Sequence, residues 1–112
     1  MTFKLDNQEI IALIKLINDA CLHLREQLDL VRHTHDVKVY IAQLQLSILE
    51  ELCIKLRMKA FMSKPFYKLK MSPYQEIAFW LQFNGKMQRD HAGNLVQIMC
   101  DTIHAGLICT IK

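Results

Sequence analysis

The sequence predicts an all-α protein: a compact four-helix bundle with a long helical hairpin, a short third helix and a medium fourth, paired as a dimer. Three observations carry this. Apolar residues recur at helical spacing along most of the 112 residues. Glycine and proline are scarce, at three and two, which disfavours a turn-rich all-β fold. Leu, Ile, Met, Gln, Glu and Lys dominate, and all are comfortable in helices. The length suits a single domain over residues 1–112. Hydrophobic residues make up 52% of the chain, which is high for a domain this small. A chain of this size buries roughly 60–70% of the surface it exposes when unfolded. The apolar surplus is therefore expected to meet another chain, most simply a twofold-related copy.

The first helix is expected over residues 6–32. Ile10, Ile14, Ile17, Cys21, Leu24, Leu28 and Val31 follow one another at spacings of three and four, the rhythm of a seam laid against a partner helix. Leu13, Leu16 and Ala20 widen the seam, and Lys15, Asp19, His23, Glu26 and Asp29 make the opposite face wet. At its start, Asp6 and Glu9 stand at capping-box positions, and Leu5 with Ile10 can staple the entry.

The seam breaks after Val31, because its rhythm would next bury His35, Lys38 and Gln45. A tight turn through Arg32, His33, Thr34, His35 and Asp36 is the expected reason, with Thr34 capping a second helix over residues 35–62. One long bent helix over residues 6–61 is the alternative. The second helix carries a broad apolar arc of Val37, Ile41, Leu44, Ile48, Leu49, Leu52, Cys53 and Leu56. Contacts on more than one side would explain that breadth, so it is expected at the centre of the bundle.

Residues 63–72 form a basic and aromatic connector. Pro65 removes an amide and turns Lys64 away from helix. The alternation from Phe66 to Met71 predicts an extended arm on the bundle, with no second strand in view to pair it. A third helix over residues 73–84 is well marked. Ser72 caps it, Pro73 opens it and Gln75 completes a capping box. Ile77, Ala78, Trp80 and Leu81 are expected to face inward, widened by Phe79 and Phe83, and Asn84 with Gly85 to end it. A fourth helix over residues 90–109 has Leu95, Ile98, Met99, Thr102 and Ile103 as its expected core face. Its small residues Gly93, Ala105 and Gly106 would let a neighbour approach closely.

Charge is uneven. Residues 1–54 hold five basic and eight acidic residues, and residues 55–112 hold nine and three. The basic excess lies in residues 55–70, where Lys55, Arg57, Lys59, Lys64, Lys68 and Lys70 alternate with Phe61, Phe66 and Tyr67 and no acid intervenes. Such a stretch attracts phosphate backbones, and its aromatics can stack on bases. The same residues also suit a helix C-terminus and a solvated loop. A net charge of +3 is low for a DNA-reading module, and no basic recognition helix is visible.

Other chemistry has little support. Cys21, Cys53, Cys100 and Cys109 are widely spaced within apolar segments, as free buried thiols would be. His23 with Glu26 and Asp101 with His104 have the three-residue spacing of helical metal ligands, but they fall on polar faces. No nucleophile elbow or glycine-rich phosphate loop is present. No catalytic, cofactor-binding or metal-ligating residue is assigned, and no cofactor is expected. Phe66, Tyr67, Phe79, Trp80 and Phe83 are candidates for core or interface. The opening residues reach Asp6 without an apolar run, and no uncharged stretch approaches the ~20 residues a membrane span needs. A cytoplasmic setting follows as the expectation. The functional expectation is a small helical protein-interaction or regulatory module. A binder of nucleic acid or another polyanion through residues 55–70 comes second, and a helical enzyme or metal-binding bundle third.

Overall fold

The computed structural model describes residues 2–31, 36–84 and 91–111, with side chains for 93–106 of the last stretch. In chain order, strand β1 (Thr2–Asp6) leads into helix α1 (Asn7–Val31), followed by helix α2 (Val37–Ala60), strand β2 (Phe66–Lys70), helix α3 (Pro73–Phe83) and helix α4 (His91–Ile111). Among the described residues the chain is mainly helical, with four helices and one small sheet. The two long helices are separate elements packed along one another. The first half is therefore a hairpin and not one bent helix.

The start of α1 is a reciprocal capping box. The Asp6 amide donates to Glu9 Oε1 at 3.0 Å, and the Glu9 amide donates to Asp6 Oδ1 at 2.8 Å. Two of the helix's free donors are thereby satisfied. Leu5 and Ile10, on either side of the cap, are both buried. Ile10, Leu13, Ile17, Cys21 and Leu24 form the buried seam. Beyond Leu24 the seam meets less cover: Leu28 is half-buried and Val31 is exposed.

Asp36 caps α2, its Oδ1 accepting from the Lys38 amide at 2.9 Å. The expected cap, Thr34, lies outside the described residues, as do Arg32, His33 and His35. The buried residues of α2 are Val39, Leu49, Leu52, Cys53 and Leu56. Much of the expected arc is bare instead: Val37, Ile41 and Leu44 are exposed. The arc is broad because its two halves have different surroundings, and the central place belongs to α1, which packs on α2, α4 and both strands. Helix α2 ends at Ala60, and Ser63 then takes a left-handed backbone with φ of 50°. Arg57 and Lys59 sit in the last turn, where cations complement the helix dipole.

Residues 66–70 correct the expectation of an unpaired arm. They pair antiparallel with β1 in the register Thr2↔Lys70, Phe3↔Leu69, Lys4↔Lys68, Leu5↔Tyr67 and Asp6↔Phe66. The reason is a shared inner face. Leu5, Tyr67 and Leu69 are buried, Phe3 is partly so, and Lys4, Lys68, Lys70 and Phe66 point outward. A lone two-stranded ribbon is marginal in water. This one is held by packing its inner face on α1. Tyr67 also anchors the entry to β2, its hydroxyl oxygen accepting from the Lys64 amide at 2.9 Å.

Helix α3 opens on a second capping box. The Ser72 amide donates to Gln75 Oε1 at 3.0 Å, and the Gln75 amide donates to Ser72 Oγ at 3.4 Å. Among the described residues Gln75 is the buried polar side chain of the core, and the box satisfies its Oε1. The inward face is Ala78, Phe79 and Phe83, with the two phenyl rings 4.9 Å apart. Ile77 and Leu81, expected inward, are exposed. The Asn84 amide donates to the Trp80 carbonyl at 2.9 Å and closes the helix; Gly85 lies outside the described residues. In α4 the buried residues include Val96, Met99, Cys100 and Ile103. The expected core residues Ile98 and Thr102 are exposed, and the Thr102 hydroxyl donates to the Ile98 carbonyl at 2.8 Å. The core face is thus rotated toward Val96 and Cys100, which lie under α1 and α3. Among the described residues no helix is long and apolar enough to cross a membrane.

Candidate interaction surface

The first half of α2 and the outer side of α3 face each other across an open groove. Its walls are Ile41, Leu44 and Ile48 from α2 and Tyr74, Ile77 and Leu81 from α3, with Ala78 and Gln45 completing the lining. The groove has a volume of about 590 Å³. The two walls are tied together by Gln45 Nε2, which donates to Gln82 Oε1 at 2.7 Å. That bond joins side chains 37 positions apart and sets the separation of the helices beside the groove.

Apolar side chains here stand in water. Leu44 is 62% exposed and Tyr74 is 70% exposed, and Val37, Tyr40, Ile41, Ile77 and Leu81 are exposed too. Single exposed apolar residues are ordinary on a protein surface, whereas a contiguous patch marks an association site or a ligand groove. Charge is missing as well. No charged residue occurs from 39 to 49 or from 77 to 83. A solvated helix face normally alternates charges along its length.

A smaller apolar cleft lies where α1 finishes and α2 begins, between Leu24, Leu28 and Val31 of α1 and Val39 and Ala42 of α2.

The fold divides the basic stretch. Arg57 turns to the α1–α2 cleft, where its Nη2 donates to Asn18 Oδ1 at 3.0 Å. Lys55 reaches across to β2, its ammonium donating to the Lys70 carbonyl. Lys68 and Lys70 stand on the outer face of the sheet, and the strand pairing brings Lys4 directly opposite Lys68. The Lys4 ammonium lies 4.5 Å from the centre of the Phe66 ring, a cation–π contact. Lys59 lines a shallow cleft of the α2 outer face with Met58 and Met62, and Lys64 gives its backbone amide to Tyr67. Lys4 was invisible as part of this group because only the register reveals it.

The aromatics separate in the same way. Phe79 and Phe83 are core, Tyr67 is buried beneath the sheet and Phe66 is exposed. Trp80 is half-buried and stacks on His104 with ring centres 5.6 Å apart and planes 15° from parallel.

Cys21 and Cys53 border a polar cleft between α1 and α2, together with Asn18, Arg25, Glu50 and Arg57. Arg25 Nε and Nη2 both donate to Glu50 Oε1, at 3.0 and 2.6 Å. Burial pushes the Cys21 thiol up from 9.0 to about 11, helped by Cys53 and Glu50 and opposed by Arg25 and Arg57. Burial does the same to Cys100, with Asp101 adding to it. A thiol held protonated in this way is a poor nucleophile. Cys21, Cys53 and Cys100 are free, and the Cys109 side chain lies outside the described residues. His23, Glu26 and His104 are exposed, and among the described residues no three of His, Cys, Asp and Glu gather to hold a metal ion.

Comparison with protein-family models, curated proteins and solved structures gives no match to this chain. The exposed residues that stand out, Ile41, Leu44, Ile77 and Leu81, are ones the sequence places in the core, while Ile48 packs against it as expected. Their exposure had one sequence signal: an apolar arc on α2 too wide for one neighbouring helix.

Proposed function

We propose that this chain is a small cytosolic protein-interaction module built on a four-helix bundle, acting through the apolar face of α2 and α3 and carrying out no catalysis of its own. The single observation behind this reading is the groove: two walls built from six apolar residues, open to water, with no charged residue from 39 to 49 or from 77 to 83. Burying such walls contributes roughly 25 cal/mol per Å² before the costs of association. Free buried thiols suit a reducing compartment. The test is affinity capture from the native cell with the wild-type chain and with Leu44→Glu. The expected outcome is at least one bound protein, this chain included, that is lost with the variant. Identical captures from both would overturn the reading.

A second reading rests on the outer sheet face. Lys4 and Lys68 stand directly opposite one another beside Lys70, and like charges so placed repel unless an anion lies between them. A polyanion is the ligand this arrangement favours. Binding to mixed-sequence RNA and DNA at about 50 and 200 mM salt tests it, since phosphate contacts weaken steeply over that range. Replacing Lys4, Lys68 and Lys70 with Gln is expected to abolish that binding. Affinity indifferent to salt or to these substitutions would exclude the sheet as the site.

A further inference from the structure

We propose that the occupant of the α2–α3 face is a second copy of this chain, related to the first by a twofold axis. The inference rests on the reading of that face as an association surface and adds the identity of the partner.

The face supplies both halves of a contact. Val37, Ile41, Leu44 and Ile48 follow at spacings of four, three and four, an apolar ridge of the kind that seats in a groove between helices. Its residues Ile41, Leu44 and Ile48 form one wall of the groove, and Tyr74, Ile77 and Leu81 form the other. A ridge and a groove on one surface are what a twofold contact needs, because the patch must be its own complement.

Charge points the same way. Near a twofold axis every side chain approaches its own copy, so any charge there would meet a like charge. The face carries none from 39 to 49 or from 77 to 83. A basic or acidic partner would instead be met by opposite charges on this surface. Area is also sufficient. The bare parts of the ridge, with Tyr40, Tyr74, Ile77 and Leu81, come to on the order of 800 Å², about the share each partner gives to a standard interface. Tyr40 and Tyr74 are suited to the rim, where the ring is covered and the phenol oxygen stays wet.

Sedimentation and light scattering over about 1 to 100 μM, a range that resolves micromolar self-association, test the proposal on the full chain. The wild type is expected at twice its 13.1 kDa mass. Leu44→Glu and Ile77→Glu, placed on opposite walls, are each expected to raise the dissociation constant by at least ~100-fold, because each sets a carboxylate against an apolar or like-charged surface. Lys15→Gln, on the exposed side of α1, is expected to leave it unchanged. Circular dichroism of the monomers checks that both variants keep their helix content, and either variant alone suffices if the other misfolds. A monomer at every concentration overturns the proposal, and so does a dimer indifferent to both glutamates. If the wild type is monomeric while capture from the cell still depends on Leu44, the second copy is excluded and the interaction surface stands. If neither assay responds to Leu44, both readings fall.

Discussion

The two halves of α2 are both rich in apolar residues and have opposite surroundings. From Leu49 to Leu56 its inward apolar residues are sealed: Leu49, Leu52 and Leu56 are fully buried among Ile10, Leu13 and Ile17 of α1 and the inner face of the sheet, with Ile54 on the outer side. From Val37 to Leu44, Val39 is buried but Val37, Tyr40, Ile41 and Leu44 are bare. The difference lies in what the chain can lay over each half. Strands β1 and β2 close the core at the end where α1 begins and α2 finishes. At the hairpin end α1 is the companion of the first half of α2, and α3 reaches only far enough to form one wall of a groove. Apolar character is thus a demand for cover, and the fold meets it on the inward side of the second half, with Ile54 and Met58 left outside.

Breaking the sealed half is expected to have the largest effect. Leu52→Ala removes a fully buried side chain, and denaturant unfolding should show a loss of about 2–5 kcal/mol, as for other truncations in packed cores. A loss under 1 kcal/mol would mean that this end is no tighter than the other.

Alkaline titration sharpens the same contrast. Cys21 and Cys100 are buried thiols raised from 9.0 to about 11. Above pH 9 the unfolded chain releases these protons while the folded chain keeps them. The folded state then binds more protons, so stability falls as pH rises from about 9 to 11. Denaturation midpoints across that window, compared with a Cys21→Ala, Cys100→Ala double variant, isolate the contribution. A slope unchanged in the double variant would assign it to other groups.

The caps at the two ends come next. Asp6→Ala opens the box that joins β1 to α1, and a loss of about 1–2 kcal/mol is expected. Asp36→Ala removes a single-bond cap at the bare end, where a fraying helix end loses little packing, and about 0.5–1 kcal/mol is expected. Equal losses would show the hairpin end to be as cooperative as the sheet end. Ser63→Gly acts in the other direction. Ser63 holds a left-handed backbone, and glycine there should raise the unfolding free energy by about 0.5–1 kcal/mol. The smallest effect is expected for Leu44→Ala in the monomer, within about 0.5 kcal/mol in unfolding at sub-micromolar concentration. A loss comparable to that of Leu52→Ala would mean that Leu44 is covered within the chain.

Much of the helical layout was legible because helix signals are local. Asp6 with Glu9 and Ser72 with Gln75 act over three residues, so their capping boxes could be read directly, and both form. The seam of α1 was legible from Ile10 to Leu24 for the same reason. The strand pairing was not. Phe66 to Lys70 alternates visibly, but its partner begins at Thr2, and no pattern in a five-residue segment such as Thr2–Asp6 announces which distant strand it will meet. The faces of α3 and α4 were misjudged by part of a turn. Both helices are apolar nearly all round, so periodicity could not choose between Ile77 and Phe79, or between Ile98 and Cys100. The candidate surface was hidden by its own chemistry, since Ile41, Leu44 and Ile77 look identical as letters whether buried or bare.

The sequence by itself determined where α1 and α3 begin and which side of α1 is wet. Caps, turns and amphipathic spacing act between residues a turn apart, and those distances are written in the chain. Only the tertiary structure decided that Lys4 stands opposite Lys68, that α1 holds the centre and that the first half of α2 remains uncovered. Each of these depends on which distant segment arrives at a given apolar surface, and that is settled by the packing of all the elements together.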